Sequence, residues 1–257
     1  MSFERRKYCD AFAFLSDCEE ELLTHEAEHS LLLGLASNLL RGVLEADDET
    51  LFGSVWSEGV FKGAYLRSAR GRPLVLSLMS EGAARWLGTA LEEGFDECLG
   101  ALPAVEIFAK EHGLRRSRGL RVEMSQGLYR LDAVEGHRLL AGEKMLLASE
   151  LSTELIREWI EGFLGDCYPG IDSIKERASK VLEMSKKRGG LYVLANSAGE
   201  PVSMAARARE TQNGATISLV CTLCTDLKNP TSNGVYRKLG YVKITESMHY
   251  KLWEKMD

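Results

Sequence analysis

The sequence contains no apolar run near the roughly 18 residues that a membrane-spanning helix needs, so we expect no membrane partner. Proline is scarce, with five among 257 residues, while 45% of the residues are hydrophobic and 27% are charged. This composition excludes a fibrous or disordered chain and is typical of a globular protein. The length allows one large domain or two small ones.

An excess of basic residues is also lacking, because 32 Lys and Arg stand against 38 Asp and Glu, for a net charge of −6. That balance argues against a nucleic-acid partner. A local patch of Arg67, Arg70 and Arg72 has two interpretations, a phosphate-binding site or the solvated end of a hairpin.

Cysteines are few and show none of the spacing of a disulfide framework. Free thiols and a cytoplasmic location are therefore expected. The six are Cys9, Cys18, Cys98, Cys167, Cys221 and Cys224.

Periodic apolar residues in the first half predict helices and hairpins. Apolar residues recur at four-residue spacing within Cys18–Leu40, which predicts one amphipathic helix. Phe52–Trp56 and Val60–Leu66 flank Ser57-Glu58-Gly59, a hairpin signal. The elements expected next are a strand at Leu74–Met79, helices at Glu81–Glu97 and Glu106–His112, and a strand at Arg121–Leu131.

The second half repeats this order of elements. Two amphipathic helices are predicted on either side of Pro169-Gly170, and strands at Leu191–Ala195 and Pro201–Arg209 follow them. Asn213-Gly214 is a strong signal for a further hairpin. We therefore predict an α/β (α+β) fold of two tandem modules, residues 1–134 and 142–257, with mixed, mainly antiparallel sheets flanked by helices.

Near the C-terminus, a short helix has strong signals at both ends. Asn229 is a suitable N-cap, and Pro230 suits the first helical position. Gly240 supplies a left-handed cap that ends the helix. The sequence thus predicts a helix of about ten residues between Pro230 and Gly240.

The residues around this helix resemble a known motif. The string Cys224–Asn233, with Tyr236 and Gly240-Tyr241 at their offsets, resembles the last motif of the Gcn5-related N-acetyltransferases. The resemblance is strong only after Leu191. It extends more weakly over the first half, which is similar to a degenerate copy of the same domain.

The resemblance implies a cofactor, a reaction and a set of site residues. It implies transfer of an acetyl group from acetyl-CoA to a small-molecule or peptide amine. It assigns Asn229, Val220 and Asp226 to the cofactor site, and makes Tyr236 the acid that protonates the departing thiolate. A phenol with a pKa near 10 suits that role, since it stays protonated at neutral pH. The alternative is that Tyr236 only packs its ring against the sheet.

The chain departs from the family between Val220 and Thr225, where only four residues intervene. Neighbouring parallel strands need a crossover of about a dozen residues or more, so we expect Ile217–Thr225 to be one strand, continuous or kinked. The family's loop and helix, which hold the pyrophosphate of coenzyme A, are missing. Ser80-Glu81-Gly82-Ala83 in the first half does not replace them.

Two functions follow from this departure. The first is an N-acetyltransferase by descent that binds acetyl-CoA weakly. The second is a non-enzymatic interaction module that retains the fold. Neither choice fixes the acceptor or the oligomeric state.

Two short motifs are compatible with metal binding. His25-Glu26-Ala27-Glu28-His29 has the spacing of a zinc-protease helix, but only 24 residues precede it. Cys221 and Cys224 form a single Cys-x-x-Cys without the second pair that a structural zinc site needs. We expect no metal site, and His25 and His29 are interpreted as a polar helix face.

Overall fold

The computed structural model describes residues 2–133, 139–167, 170, 172–218, 224–226 and 230–254. The first half folds into β1 (Phe3–Tyr8), α1 (Ala11–Leu23), α2 (Ser30–Leu40), β2 (Leu51–Ser57), β3 (Val60–Arg67), β4 (Leu74–Leu76), α3 (Glu81–Ala90), β5 (Glu97–Ala101), α4 (Ala104–Arg115) and β6 (Arg118–Arg130).

The second half has the same order of elements, except that no helix is described between its fourth and fifth strands. It contains β7 (Lys144–Leu147), a 3₁₀ turn (Ala148–Glu150), α5 (Thr153–Cys167), α6 (Ile174–Arg188), β8 (Leu191–Ala195), β9 (Pro201–Glu210), β10 (Ala215–Ser218), β11 (Cys224–Asp226), α7 (Pro230–Lys238) and β12 (Val242–Glu254).

The strands form two sheets. The larger has eight strands in the order β1-β2-β3-β4-β5-β12-β6-β11, and the smaller has four in the order β10-β9-β8-β7. Only the β4–β5 pair is parallel among the described strands. The predicted α/β class with mainly antiparallel, helix-flanked sheets is therefore confirmed.

Helices cover both faces of the larger sheet, because alternate residues along its strands point to opposite sides. On one face, Val55, Tyr65, Leu74 and Leu76 pack in a cluster with residues of α3 and α4. On the other face, α1 and α2 pack on a separate cluster that contains Phe52, Ala64, Leu66 and Val75.

The smaller sheet buries one apolar cluster with its two helices. Ile156, Ile160 and Leu182 of α5 and α6 pack there on Val193 and Met204 of the sheet. The amphipathic spacing of both helices had predicted this face, because residues three and four apart share one side of a helix.

The chain divides into two compact units, but not at a single point. The first unit runs to Arg130 and takes up the chain again from Cys224, with the hairpin tip Thr211–Gly214. The second comprises the described residues between them. This division differs from the two consecutive modules predicted on either side of Val134–Gly142, because β11, α7 and β12 belong to the first unit.

Strand β12 explains this return. It lies between β5 and β6 and pairs with β6 over the whole strand, from Arg118 opposite Glu254 to Arg130 opposite Val242. Tyr250 and Leu252 of β12 are 4% and 1% exposed and belong to the cluster shared with α3 and α4. The last strand of the chain thus completes the core of its first half.

The predicted helix at Cys18–Leu40 is wrong in its bounds, since the structure has two helices separated by turns. Helix α1 ends at Leu23, and the Thr24 hydroxyl donates to the Glu21 carbonyl at 2.6 Å. A threonine hydroxyl that bonds a nearby backbone carbonyl competes with helix continuation.

The predicted hairpin at Ser57-Glu58-Gly59 is confirmed, with φ of 51° at Glu58 and 77° at Gly59.

No helix in the described part of the chain has the length and apolar character to cross a membrane. Free thiols are present at Cys9, Cys18 and Cys98, in agreement with the expectation for those three residues.

Truncation of the β12 core should weaken the first half. Leu252→Ala is expected to lower the free energy of unfolding by about 2–5 kcal/mol, because it leaves a cavity in the cluster with α3 and α4. Val242→Ala is the matched control on the same strand, since Val242 is 63% exposed. Its effect should stay within about 0.5 kcal/mol. Denaturant titration of both variants is the test, and equal stability would contradict the placement of β12.

Candidate functional site

The motif residues of the second half gather around Tyr236 on α7. Tyr236 is 2% exposed, and its ring centroid lies 5.9 Å from that of Tyr129 and 5.6 Å from that of Tyr241. The Tyr129 hydroxyl donates to Asn233 Oδ1 at 2.7 Å. Tyr129, Asn233 and Tyr236 are buried and Tyr241 is half-buried, and these four residues are called here the tyrosine cluster.

Local signals in the sequence place this cluster. Helix α7 begins at Pro230, as predicted, because proline suits a position whose N–H has no partner in the helix. Gly240 has φ of 89°, and the Tyr241 N–H donates to the Tyr236 carbonyl at 3.0 Å. The predicted left-handed stop at Gly240 is thus confirmed. It turns the chain so that Tyr241 packs on Tyr236.

The predicted site residues have different outcomes. Tyr236 lies in the cluster, and its burial agrees with the packing interpretation, while its role as an acid stays a prediction. Asp226 ends β11, opposite Gln126 of β6. Val220 and Asn229 lie outside the described residues.

Sequence reasoning missed Tyr129 as a site residue. Its contact with Asn233 spans 104 positions, and no local pattern reports such a contact. The sequence offered only the weak resemblance of Tyr129-Arg130-Leu131 to the first half of the family's chains.

The segment around the missing loop is divided between the two sheets. Strand β10 ends at Ser218 and pairs with β9, whereas β11 begins at Cys224 and pairs with β6. Ile217–Thr225 therefore does not form one uninterrupted strand of a single sheet, and 219–223 lie outside the described residues. Strands β10 and β11 are not neighbours in either sheet.

The first half has a parallel pair, β4 and β5, but no open cradle for a pyrophosphate. The two strands are paired with each other, with Leu74 opposite Cys98 and Val75 opposite Leu99. At the start of α3, the Ser80 hydroxyl already accepts from the Ala83 N–H. Glu81 adds negative charge in the first turn of that helix, which disfavours an anion there. The start of α3 therefore does not fit the pyrophosphate of acetyl-CoA.

The His-Glu-x-x-His sequence does not lie on a helix. His29 is 4% exposed and both of its ring nitrogens are engaged: Nδ1 bonds the Leu22 carbonyl at 2.8 Å, and Nε2 accepts from the Leu78 N–H at 3.0 Å. Burial lowers the pKa of His29, which keeps Nε2 free to accept. His29 thus joins α1 to the end of β4. Within the described ranges, no three His, Cys, Asp or Glu residues are grouped as a metal site.

Two of the three arginines of the basic patch, Arg67 and Arg70, form ion pairs with acidic side chains. Arg67 is 7% exposed, and its Nε donates to the Glu49 carbonyl at 2.9 Å. Arg70 pairs with Asp48 at 3.0 Å and with Glu49 at 3.2 Å. This pairing favours the hairpin-end interpretation over a phosphate site.

Comparison with solved structures identifies similar folds. An X-ray structure of a Drosophila protein matches with a TM-score of 0.61 and 12% identity, over 98% of this chain and 99% of that one. A Gcn5-related N-acetyltransferase from Sphaerobacter thermophilus matches with a TM-score of 0.49 and 12% identity, over 97% and 95%. A GNAT-family acetyltransferase from Colwellia psychrerythraea matches at 0.47 and 8%, over 97% and 99%.

These identities bear on the fold alone. No family model matches the sequence. No curated protein is significantly similar to it. The comparisons therefore do not show an activity, a cofactor or an acceptor for this chain.

Replacement of His29 should destabilise the fold. His29→Ala is expected to cost about 1–3 kcal/mol, because it leaves the Leu22 carbonyl and the Leu78 N–H without their partner. His25→Ala is the control, since the His25 side chain is 59% exposed and should tolerate the change. Thermal or denaturant unfolding compares the two.

Lowering the pH should weaken the contacts that His29 makes with Leu22 and Leu78. The lowered pKa of His29 means that the unfolded chain binds more protons below pH of about 6.5, so stability falls as the pH decreases through that value. Part of this loss should disappear in His29→Ala. Stoichiometric zinc that depends on His29 would contradict the structural role.

Proposed function

We propose that this chain is an N-acetyltransferase by descent, with an amine of a small molecule or peptide as acceptor and with weak binding of acetyl-CoA. The observation that supports descent most strongly is the tyrosine cluster. It brings Asn233, Tyr236 and Tyr241 of the C-terminal motif together in one largely buried group. Tyr236 is the proposed acid, because a phenol keeps its proton at neutral pH.

The proposal of weak binding follows from the way in which proteins ordinarily bind a pyrophosphate group. Such an anion is ordinarily held by successive backbone N–H groups at a helix N-terminus. The four residues between Val220 and Thr225 leave no room for that loop and helix. Beyond proton donation by Tyr236, we therefore propose no further catalytic step for acetyl-CoA in this chain.

A second candidate is a non-enzymatic interaction module. The observation that favours it is that β10 and β11 lie in different sheets, so the described strands of the second half contain no parallel pair that could open. In that case the tyrosine cluster serves packing alone. The scattered free thiols support a cytoplasmic location for either candidate.

Acetyl-CoA should bind at millimolar concentration or more weakly. Hydrogen bonds to charged groups contribute roughly 1.5–3 kcal/mol each, so the loss of two or three costs on the order of 3–9 kcal/mol. About 1.4 kcal/mol corresponds to a tenfold change, which moves a micromolar affinity to millimolar or beyond. Calorimetric titration of the purified chain measures this. A dissociation constant in the low micromolar range would show that another segment holds the pyrophosphate.

Activity assays separate the two candidates. Acetyl transfer to a panel of amines should be detectable only at high acetyl-CoA concentration and should be lost in Tyr236→Phe. Tyr241→Phe is the matched control, because it changes a neighbouring hydroxyl in the same cluster. Absence of turnover at every cofactor concentration supports the interaction module. Turnover that is unchanged in Tyr236→Phe contradicts the acid role.

A further inference from the structure

A cavity of about 280 Å³ lies in the first unit, where the first turn of α1, the end of α2 and the start of β2 meet. Phe12, Leu40 and Phe52 supply apolar lining. Phe52 is 4% exposed and belongs to the core, whereas Phe12 is 67% and Leu40 49% exposed. Two large apolar side chains are thus left in solvent beside an open space.

Packing does not explain why Phe12 is exposed. Helix α1 buries Phe14, Leu15 and Leu22 against the sheet, and Phe12 points away from that face. A ligand that covered Phe12 and Leu40 would remove apolar surface from water, which favours binding.

Two carboxylates also line the cavity, those of Asp10 and Asp47. Asp10 Oδ1 accepts from the Ala13 N–H at 2.8 Å, and Asp47 Oδ2 accepts from the Arg70 N–H at 2.7 Å. These bonds lower the pKa of both carboxyl groups, so both are ionised at neutral pH.

Neither carboxylate forms an ion pair with a Lys or Arg side chain among the described residues. A carboxylate has about four acceptor positions, and the bonds to backbone N–H groups neutralise no formal charge. The negative charge of Asp10 therefore remains at the edge of the apolar lining, while that of Asp47 is partly compensated by the nearby Arg70, whose pKa it raises.

The same geometry disfavours an anionic ligand. The N-terminus of α1 would attract an anion, but the Asp10 side chain already accepts from its first turn and places its own negative charge there. Phosphates and carboxylic acids are repelled from this position.

We propose that this cavity binds a small organic cation, with its ammonium group at Asp10 and Asp47 and its apolar body against Phe12, Leu40 and Phe52. The volume equals that of about nine water molecules in the liquid. It lies near the lower end of small-molecule sites, which suits a ligand with one aromatic ring or a short alkyl chain.

This site is separate from the proposed acetyl transfer. None of its lining residues belongs to the tyrosine cluster, and binding requires no acetyl-CoA. The two proposals can therefore fail independently.

Three probes of similar shape and different charge test the proposal on the full chain. Titration by NMR should show that 2-phenylethylammonium binds about tenfold more tightly than neutral 2-phenylethanol, since each exposed ion pair contributes up to about fivefold. The anion 3-phenylpropionate should bind most weakly. Equal affinity for ammonium and alcohol, or a preference for the anion, would overturn the assignment.

Variants locate the binding. Asp10→Asn should weaken 2-phenylethylammonium about fivefold while it keeps a good helix N-cap. Phe12→Ser should weaken all three probes. Asp48→Asn and Leu114→Ser are the controls, because Asp48 is a neighbouring exposed carboxylate and Leu114 is 73% exposed, and neither lines the cavity. Loss of binding in the controls, or none in the two site variants, contradicts the proposed location.

Discussion

The pairing of β6 with β12 is the interaction on which the rest of the structure depends. Each is a 13-residue strand, one from each half of the chain, and they are hydrogen-bonded along their whole length. Strand β12 also pairs with β5, so it fills the space between two strands of the first half. Without β12, both strands would have unpaired edges and the core would lose Tyr250 and Leu252. Backbone groups left without partners in a buried sheet are costly.

The candidate site follows from the same pairing. Strand β6 has β12 on one side and β11 on the other, and α7 connects these two partners along the chain. A residue of the first half, Tyr129, can therefore bond Asn233 and pack on Tyr236. Residues from both halves of the sequence therefore build the environment of the motif.

Local patterns predicted most elements, while distant pairings escaped them. The spacing of apolar residues predicted α5 and α6, the turn signal Ser57-Glu58-Gly59 predicted the first hairpin, and Gly240 marked the end of α7. The position of β12 was not predictable, because a strand's own alternation does not say which distant strand it joins. Four-residue spacing predicted one helix over Cys18–Leu40, but α1 ends at Leu23. There the Thr24 hydroxyl bonds the backbone and competes with the periodicity. The rule for parallel strands depends on chain length and not on local pattern, because four residues are too few to cross from one parallel strand to its neighbour.

The most direct test of the pairing of β12 with β5 and β6 is native-state hydrogen exchange, measured residue by residue at increasing concentrations of denaturant. The interlocked pair predicts that amides of β5, β6 and β12 open together, with one free energy and one denaturant dependence, as members of a single cooperative unit. Exchange of β12 at a much lower free energy, while β5 and β6 stay protected, would contradict the claim that the last strand completes the first half.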